Sequence, residues 1–370
     1  MRVLVTGGAG FIGSHLVARL LVAGHEVRIL DALDPQVHDG VPGHLASDAE
    51  LVIGDVRDGD LVVRCLADVD VLVHLAAAVG VGQSMYEIER YTSVNALGAA
   101  VVLEAAIGVR DRLRKAIVAS SMSIYGEGLY RCPTEGTEVA PPARAAEQLA
   151  ARRWEVVCPS CGAELEPLAT TESKPLQPTS IYAIGKRDHE EMFLVWGRAY
   201  GVPTTALRFF NVYGPHQALS NPYTGVAAIF ASRLLNGRAP VIFEDGRQSR
   251  DFVHVSDIAA GIEASLDPAR ADGHALNLAG GRRVSVLEVA RVLGEGLGVS
   301  IEPEVLGDYR AGDIRHCFAS IDRARDLLGF SPKVEFEDGI RELTAWLAGQ
   351  TAVDRVEEAT GDLRSRGLAG

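Results

Sequence analysis

Short apolar runs at 3–6, 26–30, 50–53, 69–75 and 115–120 alternate with amphipathic stretches through the first half of the chain. A strand followed by a helix with one apolar face needs the helix as a crossover to reach its next neighbour. Successive strands therefore run parallel, with helices covering both faces of the sheet. The pattern predicts an α/β fold built on a doubly wound parallel sheet. The periodicity lapses between 127 and 178, a polar stretch rich in Pro, Arg and Glu. This is read as an insertion carrying its own short helix, about 143–154, and a Cys-containing loop. A helix at 180–200 and a strand at 204–209 resume the pattern. The domain expected at 1–210 is thus followed by a region, 211–350, that is mainly a smaller lobe, and by a charged tail, 351–370, expected to be a loosely held helix or frayed.

With 370 residues, 47% hydrophobic and 23% charged, the chain can bury a full core. Its net charge of -13 opposes a life on nucleic acid, which demands clustered Lys and Arg. The most apolar run, 69–82, is broken by Asp70 and His74 and falls short of the roughly 20 residues of a membrane span. Gly7, Gly8, Gly10 and Gly13 interrupt the apolar core that a signal peptide would need, so a cytoplasmic protein is expected. Five cysteines in so long a chain make no disulfide framework and fit a reducing compartment.

The segment Val3-Leu-Val-Thr-Gly-Gly-Ala-Gly-Phe-Ile-Gly13 sets Gly7, Gly10 and Gly13 between a strand and a helix, with Phe11 and Ile12 opening the helix. Glycine lets the backbone turn tightly against a pyrophosphate, and the helix N-terminus offers free N–H groups. Asp31 ends the next strand eighteen residues after Gly13, where a carboxylate accepts hydrogen bonds from ribose hydroxyls and repels a 2′-phosphate. NAD is therefore favoured over NADP. Asp55 and Val56 end a later strand and are candidates to cover the adenine, although an Asp after a strand is often a turn residue.

Ser180-Ile-Tyr-Ala-Ile-Gly-Lys186 puts Tyr182 and Lys186 on one helix face. A tyrosine with an ordinary pKa of about 10 needs a neighbouring cation to serve as a base near neutral pH. Upstream, Ala119-Ser-Ser-Met-Ser-Ile-Tyr-Gly126 brings hydroxyls to the carboxyl edge of the sheet, where Ser121 is placed to share a proton with Tyr182 and a substrate hydroxyl. Each motif alone is weak; their order along the chain is specific.

Together with Leu75-Ala-Ala-Ala78, Asn95, Arg208-Phe-Phe-Asn-Val-Tyr-Gly-Pro215 and Arg250-Asp-Phe-Val-His-Val255, these segments resemble the extended short-chain dehydrogenases/reductases of the NAD-dependent epimerase/dehydratase family. The resemblance spans nearly all but the insertion and the tail. It implies a Rossmann-type domain, a C-terminal substrate-binding lobe and a nucleotide-sugar substrate. Ser121, Tyr182 and Lys186 would be catalytic, and Lys186 would also hold the nicotinamide ribose. Leu75, Ala76, Ala77 and Asn95 would join the cofactor site. Met122, Ser123, Asn211, Arg250 and Arg310, the last within Arg310-Ala-Gly-Asp313, would contact substrate. A homodimer through the helices near 94–108 and 181–200 is also implied, although their apolar positions also suit packing on the sheet alone.

Dehydratases of the family carry Asp-Glu after the serine, because eliminating water needs an acid and a base beyond the tyrosine. Met122 and Ser123 supply neither, and a decarboxylase, which keeps a Glu there, is disfavoured too. What remains is oxidation at C4 of the sugar, rotation of the 4-keto intermediate and hydride return, which is 4-epimerisation. Alternatives are a dehydrogenase or reductase on the same site, and an inactive NAD-binding regulatory protein. The stretch 149–162 with Thr171-Glu-Ser-Lys-Pro175 resembles an insertion of 4-epimerases acting on deoxythymidine diphosphate deoxysugars; UDP-sugars are the other substrate class. Cys158-Pro-Ser-Cys161-Gly162 has the form of half a zinc ribbon and Cys132-Pro lies at the other end of the insertion. Three thiolates and one further ligand, a carboxylate or a residue the sequence does not identify, would bind structural Zn2+; reduced structural or redox-active thiols are the alternative.

Overall fold

The computed structural model describes residues 1–266, 268–310 and 312–369; Ala311, inside the 310–313 motif, and Gly370, the last residue of the expected tail, lie outside them. Seven parallel strands form the central sheet: β1 (Arg2–Thr6), β2 (Glu26–Asp31), β3 (Glu50–Ile53), β4 (Val71–His74), β5 (Lys115–Ser121), β6 (Thr204–Phe209) and β7 (Ala275–Leu278). Their order is β3-β2-β1-β4-β5-β6-β7. The order reverses between β1 and β4, and a crevice opens there beyond the strand ends.

The strands are β-branched and aliphatic because both faces are covered. Val3 and Val5 of β1 face one apolar layer with Leu16, Val17 and Leu20 of the helix Phe11–Val22 and Ile258 and Ile262 of the helix Val255–Ala264. Leu4, between them, faces the other layer with Val62, Val102, Phe193 and Trp196. In β5, Ile117 and Ala119 join the first layer and Ala116 and Val118 the second, the period of two that strands impose. Register is direct: Val3 lies opposite both Val27 and Val71, and Val73 opposite Ile117.

Beyond residue 210 the chain returns once to the central sheet. β7 returns from 275–278 and pairs with β6, Leu276 and Leu278 being fully buried. The sheet edge gains a strand there, and the chain crosses between lobes more than once. The second lobe holds Asn211–Tyr213, Ser249–His254, Arg283–Ser285 and His316–Cys317 in one small sheet. Beneath it the helices Val226–Leu235, Val286–Leu297 and Phe336–Leu347 share an apolar core.

Within the insertion, Leu129–Arg131 pairs antiparallel with both Glu138–Val139 and Glu166–Leu168. Those strands are too short to leave a sequence period. The helix there is confined to Ala146–Ala150, ending just before Arg152 at φ 53°. The tail is also more ordered than expected. Val356–Ser365 is a helix with Ala359 and Leu363 buried, a stripe one turn apart that the surrounding charges mask in the sequence. Among the described residues, no helix is long and apolar enough to cross a membrane.

Candidate active site

A cavity of about 870 Å³ runs from the glycine turn, past the carboxyl ends of β1, β4 and β5, into the second lobe. At its first end Gly7 has φ 70°, and a Cβ there would stand 2.7 Å from the Ala76 nitrogen. A Cβ on Gly13 would stand 2.3 Å from the Gly7 carbonyl oxygen. Only glycine lets turn, helix and strand end approach this closely, which leaves the helix N-terminus open to a pyrophosphate. Gly10, Phe11 and Ile12 line the same wall.

Asp31 lies nearby, its carboxylate fixed by the Ala9 N–H at 3.0 Å and the Leu33 N–H at 2.9 Å. A carboxylate has about four acceptor positions, so capacity for a ribose diol remains. Asp55 and Val56 line the cavity as well. Asp55 is paired with Arg57 at 2.6 Å, and the hydrogen bonds from Arg57 hold its carboxyl below the usual range. Leu75, Ala76 and Ala77 form the opposite wall. Asn95 does not line it. Fully buried, it accepts the Ala78 N–H at 2.8 Å and donates to the Ala78 carbonyl at 3.1 Å, so it braces the 75–78 segment from behind.

The helix Ile181–Tyr200 delivers the catalytic candidates. Ser180 caps it, its hydroxyl accepting the Ala183 N–H at 3.1 Å, and Gly201 ends it in the left-handed region. Tyr182 and Lys186 both line the cavity beside Ser121, the last residue of β5. Lys186 donates to the Ala119 carbonyl at 3.0 Å, and burial pulls its pKa down to about 7. Burial pushes Tyr182 up to about 12, while its hydrogen bond with Ser121 works the other way. Ser121 Oγ in turn accepts from the Ser123 hydroxyl at 3.0 Å and the Ser123 N–H at 3.2 Å.

Met122, Ser123, Asn211, Arg250 and Arg310 line the far part of the cavity. Asn211 Oδ1 is buried without a hydrogen-bond partner among the described residues, an acceptor awaiting a donor. Arg250 and Arg310 clasp opposite oxygens of Asp313 at 3.1 Å and 3.0 Å. Burial pushes the Asp313 carboxyl up, but Arg310, Arg250 and Arg144 outweigh it and hold it below the usual range. Arg250 also donates to the carbonyls of Ser249, Arg315 and Ile314, leaving its Nε–H for another acceptor. Arg310 lies over the Phe243 ring at 4.7 Å.

Several lining residues escaped sequence reasoning. Gln217 and Gln248 each present a buried Oε1 with no partner among the described residues, and Thr179 and Tyr223 close the walls. Val356, Ala359, Thr360, Leu363 and Leu368 of the tail complete the mouth. None sits in a local motif; only the orphaned amide oxygens, visible in three dimensions, single out the glutamines.

A nucleotide-shaped cleft at the switch point, with a glycine cradle and a Ser–Tyr–Lys cluster, defines a dinucleotide-dependent enzyme of the short-chain dehydrogenase type. The sequence profile of the NAD dependent epimerase/dehydratase family matches residues 3–279, and the chain belongs to this family. It is 34% identical over 351 residues to dTDP-L-rhamnose 4-epimerase from Burkholderia thailandensis, covering 94% of this chain and 95% of that one. It is 30% identical over 377 residues to dTDP-glucose 4,6-dehydratase from Streptomyces niveus, covering 98% of each. Among solved structures, UDP-glucuronic acid 4-epimerase from Bacillus cereus, in complex with UDP-glucuronic acid and NAD, superposes with a TM-score of 0.78 at 27% identity, covering 94% of this chain and 99% of that one.

Proposed function

We propose that this chain is an NAD-dependent nucleotide-sugar 4-epimerase acting on a dTDP- or UDP-sugar. The observation that carries the choice of reaction is the distribution of carboxylates. Among the described residues lining the cleft they are Asp31, Asp34, Asp55 and Asp313. The first three lie on the glycine-turn side, and Asp313 is held between Arg250 and Arg310. No carboxylic acid is left beside Met122 and Ser123 to expel water or to assist decarboxylation.

The glycine cradle and Asp31 fit NAD, which when bound supplies a hydride acceptor and later its donor. Tyr182 takes the proton of the sugar's 4-hydroxyl, with Ser121 in the same hydrogen-bond chain. Lys186 stabilises the phenolate and holds the nicotinamide ribose. Asn211, Arg250 and Arg310 bind the substrate near its diphosphate, guanidinium N–H groups suiting phosphate oxygens, with the Nε–H the donor that Arg250 has left. Rotation of the 4-keto sugar then exposes its other face, and Tyr182 returns the proton to give the epimer. The 34% identity to a dTDP-L-rhamnose 4-epimerase favours a deoxythymidine diphosphate deoxysugar.

Two further features belong to this reading. Cys132, Cys158 and Cys161 are assigned to a structural Zn2+, supported by their convergence within the insertion. A homodimer through the helices near 94–108 and 181–200 is supported by Leu97, Ile184 and Val195, which are 52%, 44% and 54% exposed. Light scattering coupled to gel filtration is expected to give twice the chain mass; a monomer would sink the dimer. For the reaction, a panel of dTDP- and UDP-sugars is followed by NMR together with NADH absorbance. Conversion to the C4 epimer without net NADH is expected, whereas net NADH or a dehydrated product refutes the reading.

A further inference from the structure

The insertion contains the same five-residue loop twice. Cys132-Pro-Thr-Glu135-Gly136 and Cys158-Pro-Ser-Cys161-Gly162 agree at the first, second and fifth positions. The backbone agrees too. Gly136 N–H donates to the Cys132 carbonyl at 2.8 Å, and Gly162 N–H to the Cys158 carbonyl at 2.9 Å. Cys132 N–H donates to Thr137 at 2.9 Å, and Cys158 N–H to Ala163 at 2.8 Å, five residues on in both cases. Both closing glycines are left-handed, at φ 69° and 76°. Glu135 therefore occupies in the first loop the place that Cys161 occupies in the second.

One ligand atom from each of Cys132, Glu135, Cys158 and Cys161 falls in a cluster spanning no more than 4.8 Å. The Sγ atoms of Cys132 and Cys161 are 3.5 Å apart. A disulfide needs about 2.0 Å, whereas the edge of a tetrahedron with Zn–S of about 2.3 Å is about 3.8 Å. The Glu135 backbone N–H donates to the Cys132 sulfur at 3.4 Å, which holds this residue against the cluster. The apolar cluster beneath consists of Tyr130, Cys132, Val156, Cys158 and Leu165, too small to order this segment by burial alone.

We infer that Glu135 is the fourth ligand, and that the insertion is a two-loop ribbon closed around one Zn2+ by three thiolates and a carboxylate. This rests on the assignment of zinc to the three cysteines. The three thiols give up their protons on binding, the carboxylate enters as the anion, and nothing is oxidised. None of the four ligands lines the cleft, so the ion is structural. Glu155, three residues before Cys158, holds Arg315 at 2.5 Å, and the Arg315 carbonyl accepts from Arg250 at 3.2 Å, so the ribbon also steadies the phosphate-side wall.

The test measures zinc content of the purified full chain by mass spectrometry, zinc affinity by chelator competition, and the absorption of the Co2+-substituted protein. One zinc per wild-type chain is expected. Glu135→Gln should weaken affinity at least tenfold, and Glu135→Cys should restore it and raise the thiolate-to-cobalt absorption by about one third, as three thiolates become four. An unchanged affinity and cobalt spectrum in Glu135→Gln overturns the role of Glu135 while leaving the three thiolates. A zinc-free wild type that stays zinc-free when Zn2+ is added under reducing conditions overturns both.

Discussion

In the proposed reaction Tyr182 serves as a base only in company. Burial, net of the Ser121 hydrogen bond, holds it at about 12, and burial holds Lys186 at about 7, so a phenolate near neutrality needs a cation beside it. Tyr182→Phe is expected to lower kcat by about 10²- to 10⁴-fold with the fold intact by circular dichroism. Lys186→Met should move the acid limb of the kcat profile upward by a pH unit or more, because the phenolate loses its cation. A stability consequence follows from the same lysine. Its folded pKa of about 7 lies below the ordinary 10.5, so between those values the unfolded chain binds the extra proton. Stability of the ligand-free protein should fall as pH drops through that window, by up to about 1.4 kcal/mol per pH unit from this group. Denaturant midpoints from pH 7 to 10 should show a shallower slope in Lys186→Met. The four-residue spacing of Tyr182 and Lys186 was readable because a helix has a fixed period. The bracing of Ala78 by Asn95 was not readable, since its bonds reach across seventeen residues of chain.

At the level of elements, the strands of the first half were legible because both faces of a parallel sheet demand continuous aliphatic runs. The runs at 50–53 and 204–209 coincide with β3 and β6. β7 was not assigned, because four residues preceding a polar turn carry too little pattern and its place is fixed by β6. The short insertion strands were invisible for the same reason. Asp251 illustrates how such elements are joined. Fully buried, it accepts the N–H groups of Gly280, Gly281 and Ala319 at 2.7, 3.1 and 3.2 Å, and burial nevertheless raises its pKa to about 7. Asp251→Ala would orphan these donors at a cost on the order of 3 kcal/mol or more. Urea denaturation should detect that loss, with Asp251→Asn, which keeps one acceptor, losing less.

Across the whole molecule, the cleft is assembled from segments distant in sequence, and its mouth is finished by the tail. Arg364 pairs with Asp308 at 2.6 Å, Arg366 lies over the Tyr86 ring at 4.3 Å, and Asp354 meets Arg233 and Arg238 at 3.3 Å. Deleting 351–370 should raise KM for the nucleotide sugar severalfold while kcat changes less, as steady-state kinetics would reveal; an unchanged KM would deny the tail a part in binding. Composition hid this closure because charges flank the apolar stripe of Val356, Ala359 and Leu363. In a 4-epimerisation the C4 hydrogen leaves the sugar and returns to the same carbon. A nucleotide sugar deuterated at C4 is converted in ordinary water, mixed with unlabelled substrate that carries 13C elsewhere in the sugar. The C4 epimer is expected to keep its deuterium at C4, with no crossover into the 13C-labelled molecules and no net NADH. Washout of the deuterium to solvent, crossover between sugars, or NADH released in step with product would contradict that expectation.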